Sequence, residues 1–185
     1  IALEGGTYDI TASSDGMQAE ASLLIADGDY TISSGGGSPE TVAAKGNDMR
    51  PAGNETTTTT TTVTETESAK GLKAKVDFAI GGGSFKIDSS DDAVHSNNSV
   101  TIAGGELTIV SGDDGIHGDT AVLTKGGKIN ITKSYEGIES KVISIADGEI
   151  DVTASDDGIN VGGGNDGSGM DFQSTETEEN LLSIS

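Results

Sequence analysis

Acidic residues recur in this chain at a nearly constant spacing. Asp92 to Asp114 is 22 residues, Asp114 to Glu136 is 22, and Glu136 to Asp157 is 21. A repeat of this size indicates stacked coils, in which equivalent residues of successive coils lie one above another. We call this stack the acidic column, and its candidate metal ligands are Asp91, Asp92, Asp113, Asp114, Glu136, Asp156 and Asp157.

Calcium is the cation that these residue types favour. Like charges one coil apart repel by roughly 4 kcal/mol at an effective dielectric of 20. Lys70 occupies the column in the second coil, but the later coils offer no basic residue there, so a bound divalent cation is the expected counter-charge. Calcium is preferred to zinc or copper because the candidate ligands are carboxylates and turn carbonyls, with no Cys and no His pair at helical spacing. The alternative is that the Asp residues only form turns, by hydrogen bonding to their own backbone.

A second polar column runs beside the first and contains Gln18, Lys73, His95, His117, Glu139 and Asn160. One interpretation is an outward-facing strip that hydrogen-bonds a polymer, and the other is a set of ordinary solvent-facing positions on a sheet. Tyr135 stands in the acidic turn where other coils carry Asp, and we expect it at the surface. The candidate ligand-binding residues are therefore Lys73, His95, His117, Glu139, Asn160 and Tyr135.

The elements that position these side chains are short strands. Each coil aligns on a Gly-Gly or Asp-Gly turn, which is followed by an alternating run such as Glu106-Leu-Thr-Ile109; such period-two alternation is typical of a half-buried strand. A third short strand follows the acidic turn and presents an inward column of Met17, Leu72, Val94, Ile116, Ile138 and Ile159. Three strands and three turns in about 22 residues leave no room for a helix, so the pattern predicts an all-β parallel β-helix.

The repeat predicts one elongated domain over residues 1–185 with six complete coils. Residues 182–185 look like the first strand of a seventh coil, so we expect the protein to continue past this end. Two coils carry insertions. Residues 35–69 form a low-complexity segment with a seven-Thr tract, and residues 162–180 form a Gly- and acid-rich loop.

The overall charge limits the partners. The chain has 31 acidic and 10 basic residues, a formal net charge of −21, and no Cys. Such a charge repels nucleic acid and anionic membranes, so we expect neither a nucleic-acid partner nor membrane insertion. The absence of Cys excludes disulfides and thiolate metal sites. The oligomeric state is left open.

Several motifs together resemble a known family. They are the repeated Ser-x-Asp-Asp-Gly-Ile turn, the strand segments Ala103-Gly-Gly-Glu-Leu-Thr-Ile109 and Ala146-Asp-Gly-Glu-Ile-Asp-Val152, and the loop that follows Asp157. The chain resembles the bacterial carbohydrate-binding β-helix proteins that look like polysaccharide lyases. The resemblance implies a secreted or surface-displayed, right-handed parallel β-helix that binds calcium at its acidic turns and recognises cellulose or pectic acid (polygalacturonate). Calcium ligands carry over only to Asp91-Asp92, Asp113-Asp114 and Asp156-Asp157, since the fourth turn departs from the pattern at Tyr135-Glu136.

Two other functions compete with carbohydrate binding. Inverting hydrolases need two carboxylates about 6.5–9.5 Å apart, which Asp-Asp turns in adjacent coils could supply, and Asp113-Asp114 with His117 resembles the grouping in polygalacturonases. The same group recurs in neighbouring coils, however, and a repeated group is better explained by structure than by one active site. A polysaccharide lyase acting on pectin would need a cationic base beside calcium, but the sole arginine, Arg50, lies in the low-complexity insertion. A structural stalk or adhesin is the third possibility, because the chain has no Trp. We prefer a non-catalytic carbohydrate-binding protein.

Overall fold

The computed structural model describes residues 1–42, 68–162 and 180–185 of the chain. These residues form fifteen β-strands and no helix. The described residues therefore contain no helix that is long and apolar enough to cross a membrane. All strand pairs in the described residues are parallel and join equivalent positions of successive coils. The predicted all-β parallel solenoid with coils of about 22 residues is confirmed.

The strands lie on three faces. The first face contains β1 (Ala2–Leu3), β4 (Leu23–Ile25), β7 (Asp77–Ile80), β10 (Ser99–Ile102) and β15 (Leu181–Ile184). The second contains β2 (Thr7–Ala12), β5 (Asp29–Ser34), β8 (Ser84–Ser89) and β11 (Glu106–Ser111). The third contains β3 (Met17–Ala19), β6 (Leu72–Ala74), β9 (Val94–Ser96) and β14 (Ile159–Asn160). Two long strands, β12 (Ile116–Lys133) and β13 (Ile138–Val152), run through all three faces.

The long strands differ from the expectation of three short strands per coil. Their pairing passes from one face to the next with register shifts between Gly118 and Ala121 and between Thr124 and Lys128. These shifts mark the corners of the coil. The two coils follow similar paths there, so ladder pairing resumes at once after each corner and the strand is continuous.

Apolar columns fill the interior as predicted. On the second face, Leu107 pairs with Phe85 on one side and Ile129 on the other, and all three are buried. Tyr30 joins this column and its ring stacks on Phe85, with centroids 4.6 Å apart. The third face adds the predicted column that includes Leu72. Burial of these side chains supplies the main driving force for stacking the coils.

The two insertions fall mostly outside the described residues. Residues 43–67 and 163–179 contain the Thr tract and most of the Gly- and acid-rich loop. Beyond the second gap, β15 pairs in parallel with β13, with Leu182 opposite Ile143.

Candidate functional site

Backbone hydrogen bonds fix the acidic column in register. The residue after each acidic residue donates its N–H to the carbonyl of the acidic residue one coil further on. Ala93 donates to Asp114, Gly115 to Glu136 and Gly137 to Asp157, with N···O distances of 2.9 Å. The acidic turns therefore stack as predicted, on the edge between the second and third faces.

Burial divides the acidic column into an inner and an outer part. The side chains of Asp92, Asp113, Asp114 and Glu136 are buried, although none of these residue types is usually found inside a protein. Asp91 is half-buried, whereas Asp156 and Asp157 are exposed. The inner carboxylates therefore need partners within the protein or from a bound ion.

Lys70 supplies the counter-charge for Asp92, and His95 adds a hydrogen bond. The Lys70 Nζ lies 2.6 Å from Asp92 Oδ2 and 3.2 Å from Asp91 Oδ2. His95 Nδ1 lies 2.8 Å from the same Asp92 oxygen. Burial alone would raise the pKa of Asp92, but Lys70 and His95 outweigh it and hold that pKa well below its usual range. Asp92 is therefore a charge-compensated carboxylate without any metal.

The expectation that the later coils lack a basic partner is wrong. Both histidines turn back onto the acidic column, three residues after the Asp that each of them contacts. His117 Nδ1 lies 2.9 Å from Asp114 Oδ2, which repeats the contact of His95 with Asp92. Burial alone would lower the pKa of His117, but Asp114, Asp119 and Glu139 raise it well above its usual range. When protonated, His117 is therefore a counter-charge for Asp114.

The second polar column is in the predicted register, but its middle does not face solvent. His117 pairs with His95 and with Glu139 on adjacent strands, and the relative exposures of these residues are 4%, 7% and 6%. Asp119 covers the outer edges of the rings, with its Oδ1 atom 3.3 Å from His117 Nε2 and 3.9 Å from His95 Nε2. The expectation that these central residues are exposed to solvent is therefore wrong.

The ends of that column are more accessible. Lys73 is half-buried and its Nζ lies 3.5 Å from Asp15 Oδ2. Asn160 is half-buried and its Nδ2 donates to Glu136 Oε1 at 2.8 Å. Gln18 is exposed. The candidate polymer contacts that remain open to solvent therefore lie at the two ends of the column.

Tyr135 belongs to the acidic turns as a hydrogen-bond donor. Its side chain is half-buried and the hydroxyl donates to Asp156 Oδ2 at 2.8 Å. This hydrogen bond, together with burial, raises the pKa of Tyr135 to about 12. Tyr135 therefore stays neutral and adds no charge where the other coils have Asp.

Among the described residues, four groups of acidic and His side chains bring potential ligand atoms within 4.8 Å of one another, and they lie across the acidic column and the second polar column. Two of these groups contain Asp92, whose partner is Lys70; they are Asp91, Asp92 and Asp113, and Asp92, His95 and His117. The other two do not contain Asp92. The first, which we call the oxygen cluster, consists of Glu136, Asp156 and Asp157, and one oxygen of each lies within 4.8 Å of the others. Glu136 Oε2 is buried and has no hydrogen-bond partner among the described residues. Burial raises the pKa of Glu136 to about 7, with further raising by Glu139, Asp157 and Asp156 against a lowering by Asn160.

The second cluster, which we call the buried triad, consists of Asp114, His117 and Glu139. His117 Nδ1 faces two carboxylate oxygens, Asp114 Oδ2 at 2.9 Å and Glu139 Oε2 at 3.2 Å. Burial, together with the negative charges of Asp92 and Asp113, raises the pKa of Asp114 to about 8. The hydrogen bond with His117 acts in the opposite direction and lowers that pKa. The triad combines nitrogen and oxygen donors, whereas the oxygen cluster has oxygen donors alone.

Sequence reasoning missed Asp119 and the contact of each histidine with the acidic column. A signal was present, since the two His residues of the chain each follow an Asp by three residues, and Asp119 comes two residues after His117. In both coils the Asp lies on the turn and the His is the second residue of the strand that follows. This spacing lets the imidazole reach back to the carboxylate. The Asp-x-x-His pattern therefore predicts the contact better than face alternation does.

Comparison with known protein families gives a match to the first part of the chain. A family described as "carbohydrate-binding domain-containing protein" matches residues 1–115. This segment includes the first part of the acidic column, up to Asp114, and ends before His117. No curated protein and no solved structure matches the chain.

Proposed function

Because the chain belongs to the family of carbohydrate-binding domain-containing proteins, we propose that it is a non-catalytic protein that binds an acidic polysaccharide such as polygalacturonate through calcium. The calcium ion is held at the oxygen cluster of Glu136, Asp156 and Asp157. Neutral cellulose is a second candidate ligand, bound without the ion. A polysaccharide partner of this kind fits a bacterial protein that is secreted or displayed on the cell surface.

The buried Glu136 Oε2, which has no hydrogen-bond partner within residues 1–42, 68–162 and 180–185, carries this proposal. A buried acceptor without a donor is costly unless an ion or a water molecule meets it. The neighbouring ligands Asp156 and Asp157 are exposed, so an ion bound here remains open to carboxylates from outside the protein. Oxygen donors of this kind suit calcium, whose extracellular sites bind with dissociation constants of about 10⁻⁴–10⁻³ M.

Calcium would also offset the electrostatic repulsion between this acidic protein and an acidic polysaccharide. A chain with a net charge of −21 repels polygalacturonate at long range. A cation shared between the oxygen cluster and a uronate carboxylate replaces this repulsion with attraction at one place. Asn160 and Tyr135 lie beside the cluster, where an amide and a hydroxyl could contact the sugar.

The other acidic turns are weaker candidates for calcium. Asp91 and Asp92 are already paired with Lys70, so a cation there would compete with a buried ammonium. Asp114 is in contact with His117. The oxygen cluster, in the turns that lie furthest from Lys70, is therefore the calcium site of this proposal.

Pull-down with polygalacturonate tests the proposal. We expect retention of the folded protein in calcium and loss of retention in chelator, while any binding to cellulose stays unchanged. Asp156→Asn/Asp157→Asn should weaken calcium binding and polygalacturonate retention together. The control is Asp29→Asn/Asp151→Asn, which removes the same two charges from exposed positions on the second face.

Three outcomes would contradict it. Equal retention of folded protein with and without chelator rules out a calcium bridge. Equal loss in the control variant would assign the effect to net charge. Release of reducing sugar or unsaturated product from the polymer would show catalysis.

A further inference from the structure

The buried triad has the spacing of a metal site with a nitrogen ligand. His117 Nδ1 lies 2.9 Å from Asp114 Oδ2 and 3.2 Å from Glu139 Oε2, and all three ligand atoms lie within 4.8 Å of one another. Zinc bonds to nitrogen and oxygen of about 2.0–2.2 Å place tetrahedral ligand atoms roughly 3.3 Å apart. The side chains therefore need only small movements to meet around an ion.

Charge within the triad favours a divalent ion over a proton. A protonated imidazole supplies one positive charge to two carboxylates and shares one Nδ1 hydrogen between them. One coil earlier, Asp92 receives both Lys70 and His95. A divalent ion with a neutral imidazole would balance the two carboxylates of the triad completely.

Asp119 holds the imidazole in the orientation that metal binding requires. Its Oδ1 lies 3.3 Å from His117 Nε2, close enough for Nε2–H to donate to Asp119, so that loss of the Nδ1 proton would leave a lone pair directed at the triad. Ligating histidines commonly donate their second ring nitrogen to a carboxylate in this way. The Asp119 side chain is 46% exposed, which places the edge of the site near solvent.

We propose that Asp114, His117 and Glu139 bind a zinc-class transition-metal ion, with Asp119 as the residue that positions His117. Imidazole selects zinc, cobalt, nickel and copper over calcium, whose preferred ligands are oxygens. Three protein ligands leave one coordination position for water or for an oxygen atom of a bound molecule. The chain would thus carry two metal sites of different class, and the nitrogen site is independent of the polysaccharide proposal.

Titration of the whole protein with zinc, read by calorimetry and by ¹⁵N NMR of the histidine rings, tests the proposal. We expect one zinc ion per chain, and His117 should change to a ring with metal on Nδ1 and hydrogen on Nε2. Cobalt should give the visible absorption of a four-coordinate ion with nitrogen and oxygen ligands. Calcium in excess should leave the His117 resonances unchanged. If zinc leaves the His117 ring unchanged, the proposal is overturned, and this readout requires no variant.

Variants then assign the ligands. His117→Gln and Glu139→Gln should abolish zinc binding, and Asp119→Asn should weaken it by about 10- to 100-fold, as loss of an outer-shell partner does. His95→Gln makes the same chemical change one coil earlier and should keep zinc binding. Loss of binding in His95→Gln with retention in Glu139→Gln would place the ion at Asp92, His95 and His117 instead and overturn the proposal. Asp156→Asn/Asp157→Asn should retain zinc, and loss of zinc there would assign the ion to the oxygen cluster.

Discussion

Lys70 is the residue that balances the buried charge of the Asp91-Asp92 turn without a metal ion. Its Nζ contacts both Asp91 and Asp92, and its own residue is only 8% exposed. Burial alone would lower the pKa of Lys70, but the two carboxylates raise it well above its usual range. The ammonium therefore stays charged at neutral pH.

Lys70→Met should destabilise the protein by about 3–5 kcal/mol, because it leaves the buried carboxylate of Asp92 without its main partner. Urea unfolding measures the change. The matched control is Lys75→Met, which removes Lys75 from an exposed pair with Glu20 and should cost within about 0.5 kcal/mol. Lys70→Met/Asp92→Asn should recover part of the loss. Equal effects of Lys70→Met and Lys75→Met would show that the buried pair adds nothing.

At the scale of residues, the sequence predicts position better than environment. The spacing placed Lys70, Asp92 and Asp114 in one stack, and the hydrogen bonds of the structure have them there. It did not predict that His95 and His117 are buried. The period-two alternation of a strand predicts on which face a side chain lies. It does not predict that Asp119, which is not part of the repeat pattern, covers that face.

The corner between the first and second faces is the element that sets the coil spacing. A glycine with positive φ occupies it in every complete coil that the structure describes; the residues are Gly6, Gly28, Gly83, Gly105, Gly127 and Gly148. At Gly105, with φ of 95°, an added Cβ would lie 2.9 Å from the carbonyl oxygen of Gly83 in the coil before. Both the backbone conformation and the close approach of coils therefore require glycine.

Gly105→Ala should lower the free energy of unfolding by about 1–3 kcal/mol, the usual cost of a strained backbone conformation. Thermal and urea unfolding measure it. Gly5→Ala is the control, since Gly5 lacks a positive φ and an added Cβ there meets nothing within 4 Å. If Gly105→Ala is as stable as the wild type, the corner can relax and does not fix the coil spacing.

Corners were the most predictable elements and strand ends the least. The Gly-Gly and Asp-Gly turns aligned the coils because glycine is needed wherever φ is positive. The continuous course of β12 and β13 through three faces had no such signal. It depends on two neighbouring coils taking similar paths, which is a property of their pairing and not of either sequence segment.

Across the whole molecule, uncompensated negative charge increases along the acidic column. Asp92 is paired with Lys70 and Asp114 with His117, whereas the side-chain hydrogen bond to Glu136 within the described residues comes from the neutral Asn160 amide. The net charge of −21 and the stacking were evident from the sequence. The gradient was not, because it depends on which side chains contact the carboxylates. The proposed metal sites lie along this gradient: the site with nitrogen and oxygen ligands is in its middle, and the site with oxygen ligands alone is at its end.

The gradient predicts how stability depends on pH in chelator. The pKa of Glu136 is raised to about 7 in the folded protein from an ordinary value of 4.5. Between these values the folded state holds a proton that the unfolded state has lost, so the contribution of Glu136 to stability is present below pH 4.5 and is lost as the pH rises to about 7. Asp92, with its lowered pKa, acts in the opposite direction at more acidic pH.

Comparison of the wild type with Glu136→Gln isolates this contribution. In chelator, the free energy of unfolding of the wild type should fall relative to that of Glu136→Gln as the pH rises from about 4.5 to about 7, because glutamine has no proton to lose. Added calcium binds the deprotonated carboxylate, so the stabilisation of the wild type by calcium should grow over the same pH range and should be much smaller in Glu136→Gln. Urea unfolding at four or five pH values, with and without calcium, measures both effects. Parallel pH profiles of the two proteins in chelator would show that folding does not raise the pKa of Glu136. Equal stabilisation of the two proteins by calcium would show that Glu136 is not a calcium ligand.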